Sequence, residues 1–273
     1  MTRQIDGLVL FALCSFIFAT IGAGCGPIDE DPSDDTFGPS TCNDAPLLEK
    51  EDVKEGKTLT ADSCWRVESA LRVKSGTLEV EQGVRVQFAA GAKLLITEGE
   101  LAVNGTADAP VVFTGTEQTP GHWGSVVIQT DSSANRITHA VFEYATDYGL
   151  RVGDTVAGGR EGDGRAVIQN SVFRYNQDLG LRVSENGEIP EFTGNTFKEN
   201  GTPAHVDPDA VASLSGATFE NNETSAVKVS FDNNATVSEE ATWPALSIPY
   251  RIVDRTYIEA KLTIAAGTVV EVA

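Results

Sequence analysis

The sequence predicts an all-β protein whose chain winds into a parallel β-helix, a solenoid of about seven coils. A pattern of apolar residues recurs about every two dozen positions, and each copy is centred on a phenylalanine. The phenylalanines Phe142, Phe173, Phe197 and Phe219 follow one another at intervals of 31, 24 and 22 residues. Between the copies the chain is rich in Gly, Asn, Asp and Ser, and no stretch after residue 26 has the apolar period and capping residues of an α-helix.

Residues 1–24 have the pattern of a signal peptide. Arg3 precedes an apolar run from Leu8 to Ile21, which is short for a membrane-spanning helix. Small residues before Cys25 resemble the lipobox of bacterial lipoproteins, although Gly22 stands where that motif usually has Leu. The resemblance implies that Cys25 is lipidated and holds the protein on the outer membrane or cell surface. The alternatives are a plain secretory signal, which would leave the protein secreted or periplasmic, and an uncleaved anchor.

Residues 25–46 are expected to form a disordered acidic tether after the lipidated Cys25. The stretch from Gly26 to Pro46 contains six acidic residues, four prolines and no basic residue. It therefore has too little apolar surface to offset the entropy of ordering.

Cys42 and Cys64 are the cysteines that remain outside the leader and the lipid site. In an oxidising compartment we expect them to form a disulfide worth roughly 3 kcal/mol, with two free thiols as the alternative.

Residues 47–70 are assigned to an N-terminal cap, and residues 71–240 to the coils of the β-helix. Two apolar pairs recur 23 residues later, Leu71 and Val73 as Leu94 and Ile96, and Leu78 and Val80 as Leu101 and Val103. In later coils an asparagine follows the phenylalanine by three residues, at Asn176, Asn200 and Asn222. Because stacked strands lie about 4.8 Å apart, the phenylalanines should form an internal ladder. The asparagines should adopt the left-handed conformation at a bend and bond from coil to coil.

Residues 241–273 look like the start of a second β-helix module. Leu262, Ile264, Gly267, Val270 and Val272 repeat Leu78, Val80, Gly83, Val86 and Phe88. The pattern then stops in mid-strand, where a solenoid would expose unpaired backbone and apolar interior. We expect either that a longer protein continues past Ala273 or that another chain covers this end, and we favour the first.

The stretch GTLEVEQGVRVQFAAGAKLLITEGELAVNGTADAPVVFTG, followed by GHWGSVVI, resembles the right-handed parallel β-helix repeat proteins of bacterial surfaces. These proteins have the pectate-lyase-like fold, and the resemblance covers about residues 65–240 and the C-terminal end. It implies the fold but no single activity, because the architecture serves lyases, hydrolases, epimerases, adhesins and inert spacers.

Three places carry candidate binding residues. They are His122 and Trp123; the loop residues Asp154, Arg160, Glu161, Asp163 and Arg165; and His205, Asp207 and Asp209. Each place has a structural alternative. Trp123 would pack at a coil edge, the loop would be a solvated excursion, and the last group would be a bulged turn in which Val206 takes the inward position.

Charge and motifs narrow the function. The net charge of −20 predicts a surface that repels nucleic acid and other polyanions, and it favours cationic partners, neutral sugars or partners bridged by divalent cations. No phrase typical of polygalacturonases and no adjacent acidic set of pectate lyases is present. The sequence favours a structural or adhesive surface lipoprotein that binds polysaccharide or envelope protein through its loops, without a cofactor. The alternative is a polysaccharide lyase or glycoside hydrolase, for which the resemblance would add calcium and for which converging charged side chains are needed.

Overall fold

A computed structural model of the chain describes residues 42, 44–156, 160–230 and 235–273, with the backbone alone for residues 154–156, 160–162 and 235. The predicted leader, Cys25 and most of the predicted tether lie outside these residues. Within the described part, no helix is long and apolar enough to cross a membrane.

Thirty short strands and one 3₁₀ helix wind into nine coils in the described residues. The first three coils contain β1 (Lys57–Leu59), β2 (Cys64–Val67), β3 (Leu71–Val73), β4 (Thr77–Glu81), β5 (Arg85–Phe88), β6 (Leu94–Ile96), β7 (Glu100–Asn104), β8 (Val111–Gly115) and β9 (Val126–Ile128). The next three contain β10 (Arg136–Thr138), β11 (Ala140–Glu143), β12 (Tyr148–Val152), β13 (Asp154–Val156), β14 (Arg160–Gly162), β15 (Gly164–Arg165), β16 (Val167–Gln169), β17 (Val172–Arg174), β18 (Leu179–Val183), β19 (Gly187–Glu188), β20 (Phe192–Thr193), β21 (Thr196–Lys198) and β22 (Thr202–Val206). The last three contain the 3₁₀ helix Pro208–Leu214, β23 (Thr218–Glu220), β24 (Val227–Val229), β25 (Ala235–Val237), β26 (Ala241–Trp243), β27 (Tyr250–Ile252), β28 (Thr256–Ile258), β29 (Leu262–Ile264) and β30 (Val270–Val272).

The coils stack into three main parallel sheets, and four two-stranded sheets pair β13 with β14, β15 with β19, β25 with β28 and β26 with β29. Sheet 1 has the order β1-β4-β7-β10-β16-β20, sheet 2 the order β2-β5-β8-β11-β17-β21-β23, and sheet 3 the order β3-β6-β9-β12-β18-β22-β24-β27-β30. The predicted all-β parallel solenoid is confirmed. The prediction of about seven coils was too low, because the first coil begins at Lys57, inside the expected cap, and the last two follow residue 234.

The predicted phenylalanine ladder is present inside sheet 2 and has one further member. Ring centroids are 4.9 Å apart from Phe113 to Phe142, 5.3 Å from Phe142 to Phe173, 5.0 Å from Phe173 to Phe197 and 5.3 Å from Phe197 to Phe219. The first four rings are fully buried, whereas Phe219 at the end of the ladder is half-buried. The ladder forms because parallel strands in register place equivalent side chains directly above one another.

The asparagines form a second ladder at the turn between sheets 2 and 3. Asn176 Nδ2 donates to Asn200 Oδ1 at 2.9 Å, and Asn200 Nδ2 donates to Asn222 Oδ1 at 2.9 Å. The left-handed conformation belongs to the residue before each asparagine, at Tyr175, Glu199 and Asn221, and not to the asparagine itself. The expected bend was therefore misplaced by one residue. The coil-to-coil bonds between the amides are present as predicted, and the amides also donate to carbonyl oxygens of the preceding coil, as Asn200 Nδ2 does to Phe173 O at 2.9 Å.

The two ends of the solenoid differ. At the N-terminal end Leu48 and Val53 are buried, and a disulfide joins Cys42 to Cys64 with a Cα–Cα distance of 5.6 Å. At the other end β27 pairs with both β24 and β30 and extends sheet 3, whereas β25 pairs with β28 and β26 pairs with β29 in two separate two-stranded sheets. Sheet 3 continues past the expected module boundary at residue 241, whereas sheets 1 and 2 end before it, at β20 and β23, so the second module stays a prediction. The last coil leaves apolar side chains exposed, among them Ile258 and Val272.

Candidate functional site

His122 and Trp123 lie at a coil edge between β8 and β9. Trp123 is fully buried, its ring stacks on Phe88 with centroids 4.3 Å apart, and its Nε1 donates to Glu143 O at 2.7 Å. The ring is therefore unavailable for stacking on a ligand. His122 contacts Thr116 Oγ1 through Nε2 at 2.9 Å, which ties it to its own loop.

The loop between β12 and β16 begins as a hairpin. β13 and β14 are antiparallel and pair Asp154 with Gly162. The side chains of the candidates Asp154, Arg160 and Glu161 lie outside the described part of the structure. Asp163 is exposed, and Arg165 forms an ion pair with Glu188 of the short strand β19.

The stretch His205 to Asp209 follows the structural alternative. Val206 pairs with Val183 and Val229 and is fully buried, so it takes the inward position. We expected a bulge to cause this shift, but β22 contains none, because it pairs with β18 in one unbroken register. The turn before β22 is one residue shorter: Gly201 stands between Asn200 and the strand where the coil below has Gln177 and Asp178.

Asp207 and Asp209 organise the 3₁₀ helix that follows. Asp209 N donates to Asp207 Oδ1 at 2.9 Å, which makes Asp207 the N-cap, and Ser238 N donates to Asp209 Oδ1 at 3.0 Å. Burial raises the pKa of Asp207 to about 7; the Asp209 N–H opposes the rise, and the carboxylates of Asp209 and Glu185 add to it. These carboxylates do not converge with His205, whose Nε2 contacts Ser230 Oγ at 3.0 Å.

A buried ion pair on sheet 2 was missed by the sequence reading. Arg174 donates to Glu143 Oε2 from Nε at 2.9 Å and from Nη2 at 2.6 Å, and the two side chains are 6% and 2% exposed. Burial raises the pKa of Glu143, while Arg174 opposes the rise. The two residues directly follow Phe142 and Phe173 in register, and this spacing could have revealed the pair. A substrate cannot reach the pair in this arrangement.

A row of cationic side chains on sheet 3 was also missed. In-register pairs join Arg151 to Arg182, Arg182 to His205, His205 to Lys228, and Lys228 to Arg251. All five side chains are half-buried, and each alternates along its strand with residues of the apolar core. They therefore lie on the outer face of sheet 3, and we call them the cationic row. The signal in the sequence is a cation or histidine between two apolar residues, repeated from coil four to coil eight.

Several contacts hold members of the cationic row in place. Arg151 Nε donates to Ser184 Oγ at 3.1 Å and to Gly153 O at 3.0 Å. Arg251 donates to Glu271 Oε2 from Nε at 2.9 Å and from Nη2 at 2.8 Å, and these two residues are also in register. The first and last members of the row are therefore oriented by the protein itself.

A groove of about 310 Å³ lies near the N-terminal end of the solenoid. Its lining includes Leu47 and Leu71 together with the carboxylates of Glu49, Glu51 and Glu68. Among the described residues, no three His, Cys, Asp or Glu side chains are placed so that they could hold a metal ion.

The comparisons with known proteins agree with the coil geometry. Residues 51–169 match a family model described as a pectate-lyase like beta helix domain. Searches of curated proteins and of solved structures found no match. The matched segment runs from the N-terminal cap to β16, and beyond it sheet 1 continues to β20, sheet 2 to β23 and sheet 3 to β30. Residues 51–169 are thus similar to that domain, within a β-helix that extends past them.

Proposed function

We propose that the chain is an exported lipoprotein, anchored to the outer membrane or cell surface through Cys25, with a structural or adhesive role. Its partners are polysaccharide or envelope proteins. The apolar leader, the small residues before Cys25 and the acidic stretch up to Pro46 support export and anchoring. The disulfide between Cys42 and Cys64 agrees with an oxidising compartment.

The observation that best supports the adhesive role is the continuity of sheet 3, which forms one wall of the solenoid. Sheet 3 runs without interruption through nine parallel strands. Neighbouring strands lie about 4.8 Å apart, so the eight intervals give a wall about 38 Å long. Such a surface repeats one side-chain position at a fixed spacing, and this suits an extended polymer better than a small substrate.

The arrangement of charged groups favours binding over cleavage. A lyase or hydrolase needs an accessible carboxylate that converges with another carboxylate or with a base. Glu143 and Arg174 are close enough together, but their burial keeps a glycan away from them. Asp207 and Asp209 are engaged in capping and in a bond to Ser238.

Cell fractionation of the Cys25→Ser variant tests the anchoring. In a bacterial host that processes lipoproteins, we expect wild-type protein in the membrane fraction and the variant in the soluble fraction, since serine cannot carry the lipid. Cys14→Ser is the matched control because Cys14 also lies in the leader, and it should remain membrane-bound. Membrane retention of Cys25→Ser would contradict a lipid anchor.

A glycan array probed with the full chain in neutral detergent tests the adhesive role. We expect binding to extended glycans without release of shortened products. Accumulation of cleaved products would instead establish the lyase or hydrolase function.

A further inference from the structure

We infer that the cationic row on sheet 3 binds a linear anionic polysaccharide, with its carboxylate or sulfate groups paired directly to the row and without calcium. The row supplies a ligand class for the proposed adhesive function and depends on that function. It also departs from the expectation, drawn from the net charge of −20, that polyanions are repelled.

The charge of the whole chain does not decide what happens at the row. At physiological ionic strength, exposed charges more than about 8 Å apart are largely screened. Arg151, Arg182 and Lys228 bring three permanent positive charges to one sheet face, and the charge of Arg251 is balanced by Glu271. A ligand on this face therefore meets a local positive potential.

Stacking like charges has a cost that an anionic ligand would relieve. Like charges directly opposite one another on neighbouring strands are destabilising. In-register positions place Arg151 beside Arg182 and Lys228 beside Arg251. Glu271 is the one carboxylate in register with the row, and it pairs with Arg251 at the end. A line of anionic groups would lower the repulsion between neighbouring members of the row.

The spacing favours a single glycan chain. Five strands at about 4.8 Å give a row about 19 Å long with one side chain per step. One sugar unit along a glycan is close to one such step, so each coil could face one unit. An extended peptide fits less well because its side chains on one face repeat about every 6.6 Å. A nucleic acid would gain little, because successive aromatic platforms for its bases are absent among the five members of the row.

The fixed first member of the row favours binding further. Arg151 is held by a hydrogen bond to Ser184, so less side-chain freedom is lost when a ligand arrives. Arginine also presents a planar fork that matches carboxylate and sulfate groups. Within the described residues Lys228 forms no ion pair, so its ammonium group is available to a ligand.

The test compares two double variants of the full chain in neutral detergent. Arg182→Gln with Lys228→Gln removes two charges from the row, while Lys54→Gln with Lys261→Gln removes two exposed charges elsewhere. Binding is measured by biolayer interferometry to dextran sulfate and to polygalacturonate, with neutral dextran as the blank. We expect wild type to bind an anionic probe and not dextran, the row variant to bind at least tenfold more weakly, and the control to stay within twofold.

Further arms separate the charge of the row from other causes. Arg182→Lys with Lys228→Arg keeps the charges and should retain binding, which guards against a folding defect. The stronger of the two anionic probes shows whether sulfate or carboxylate is preferred. EDTA should change nothing, and raising salt from 50 to 200 mM should weaken binding about tenfold or more, since counterions are released on binding.

Four results would overturn the inference: equal losses in the two double variants, loss of binding in EDTA, failure of both anionic probes, or equally tight binding of polyglutamate or oligothymidylate. Binding to neutral glycans alone would contradict the inference about the cationic row but would agree with the proposed adhesive function. Failure of every glycan and envelope protein would remove both.

Discussion

Replacing Phe197 with alanine is the sharpest perturbation of the fold. Phe197 is fully buried, with stacked rings 5.0 Å away at Phe173 and 5.3 Å away at Phe219. Each neighbouring ring is fixed by its own strand, so the space left by the missing ring cannot close. Substitution of a buried phenylalanine by alanine under such conditions costs about 3–5 kcal/mol.

Chemical denaturation followed by tryptophan fluorescence measures this loss, because Trp123 and Trp243 are buried on either side of the site. Phe219→Ala is the matched control. Its ring is half-buried, and among the described rings it stacks on Phe197. The control should therefore lose about 2 kcal/mol. A loss below about 1 kcal/mol for Phe197→Ala, or a loss no larger than in the control, would refute the stacked interior.

Two further predictions concern buried polar groups. Asp207→Asn keeps the cap acceptor but does not titrate. Because burial raises the pKa of Asp207 from 3.8 to about 7, the wild type loses stability as pH rises between those values. Denaturation from pH 4 to 8 should therefore show the variant to be the more stable protein at pH 8, by on the order of 2–4 kcal/mol. Asn200→Ala removes donors and acceptors from both neighbouring coils and should cost about 2–4 kcal/mol in the same assay, more than Asn222→Ala, which is half-buried.

The controls for these two variants are simple. Asp163→Asn changes an exposed carboxylate and should leave the pH dependence of stability as it is in the wild type. The same pH slope in Asp207→Asn and in the wild type would rule out a neutral buried Asp207. Equal losses of unfolding free energy for Asn200→Ala and Asn222→Ala would show that the Asn200 amide gains no stability from bonding to both neighbouring coils.

The repeated apolar positions were predictable because a solenoid is built from local units. Leu71 lies in register with Leu94, and Phe142 lies in register with Phe173, as the intervals in the sequence predicted. The inward pattern of each coil must match that of the coil below, since the interior is closely packed. A one-dimensional repeat therefore carries most of the information about which residues are buried.

Turns were less predictable than strands. The position eight residues after the phenylalanine is apolar at Leu150 and Leu181 but is His205 after Phe197, where pairing of the strands puts Ala204 and Val206 on the inside. The turn before β22 is one residue shorter than its counterpart, and a turn can lose a residue without disturbing the packing inside. Sequence intervals that cross such a turn lose the register.

The sequence by itself determined the class of fold, because a strand period of two and a repeat of about two dozen residues admit few other architectures. It also showed the acidic composition and the apolar run from Leu8 to Ile21 that predicts a leader. The tertiary structure decided which charges meet. Residues as far apart in the chain as Arg151 and Arg251 share one sheet face only because strands of successive coils pair in register, and Glu143 is buried beside Arg174 for the same reason. Burial and register are properties of the stacked coils, and they are not fixed by any single coil.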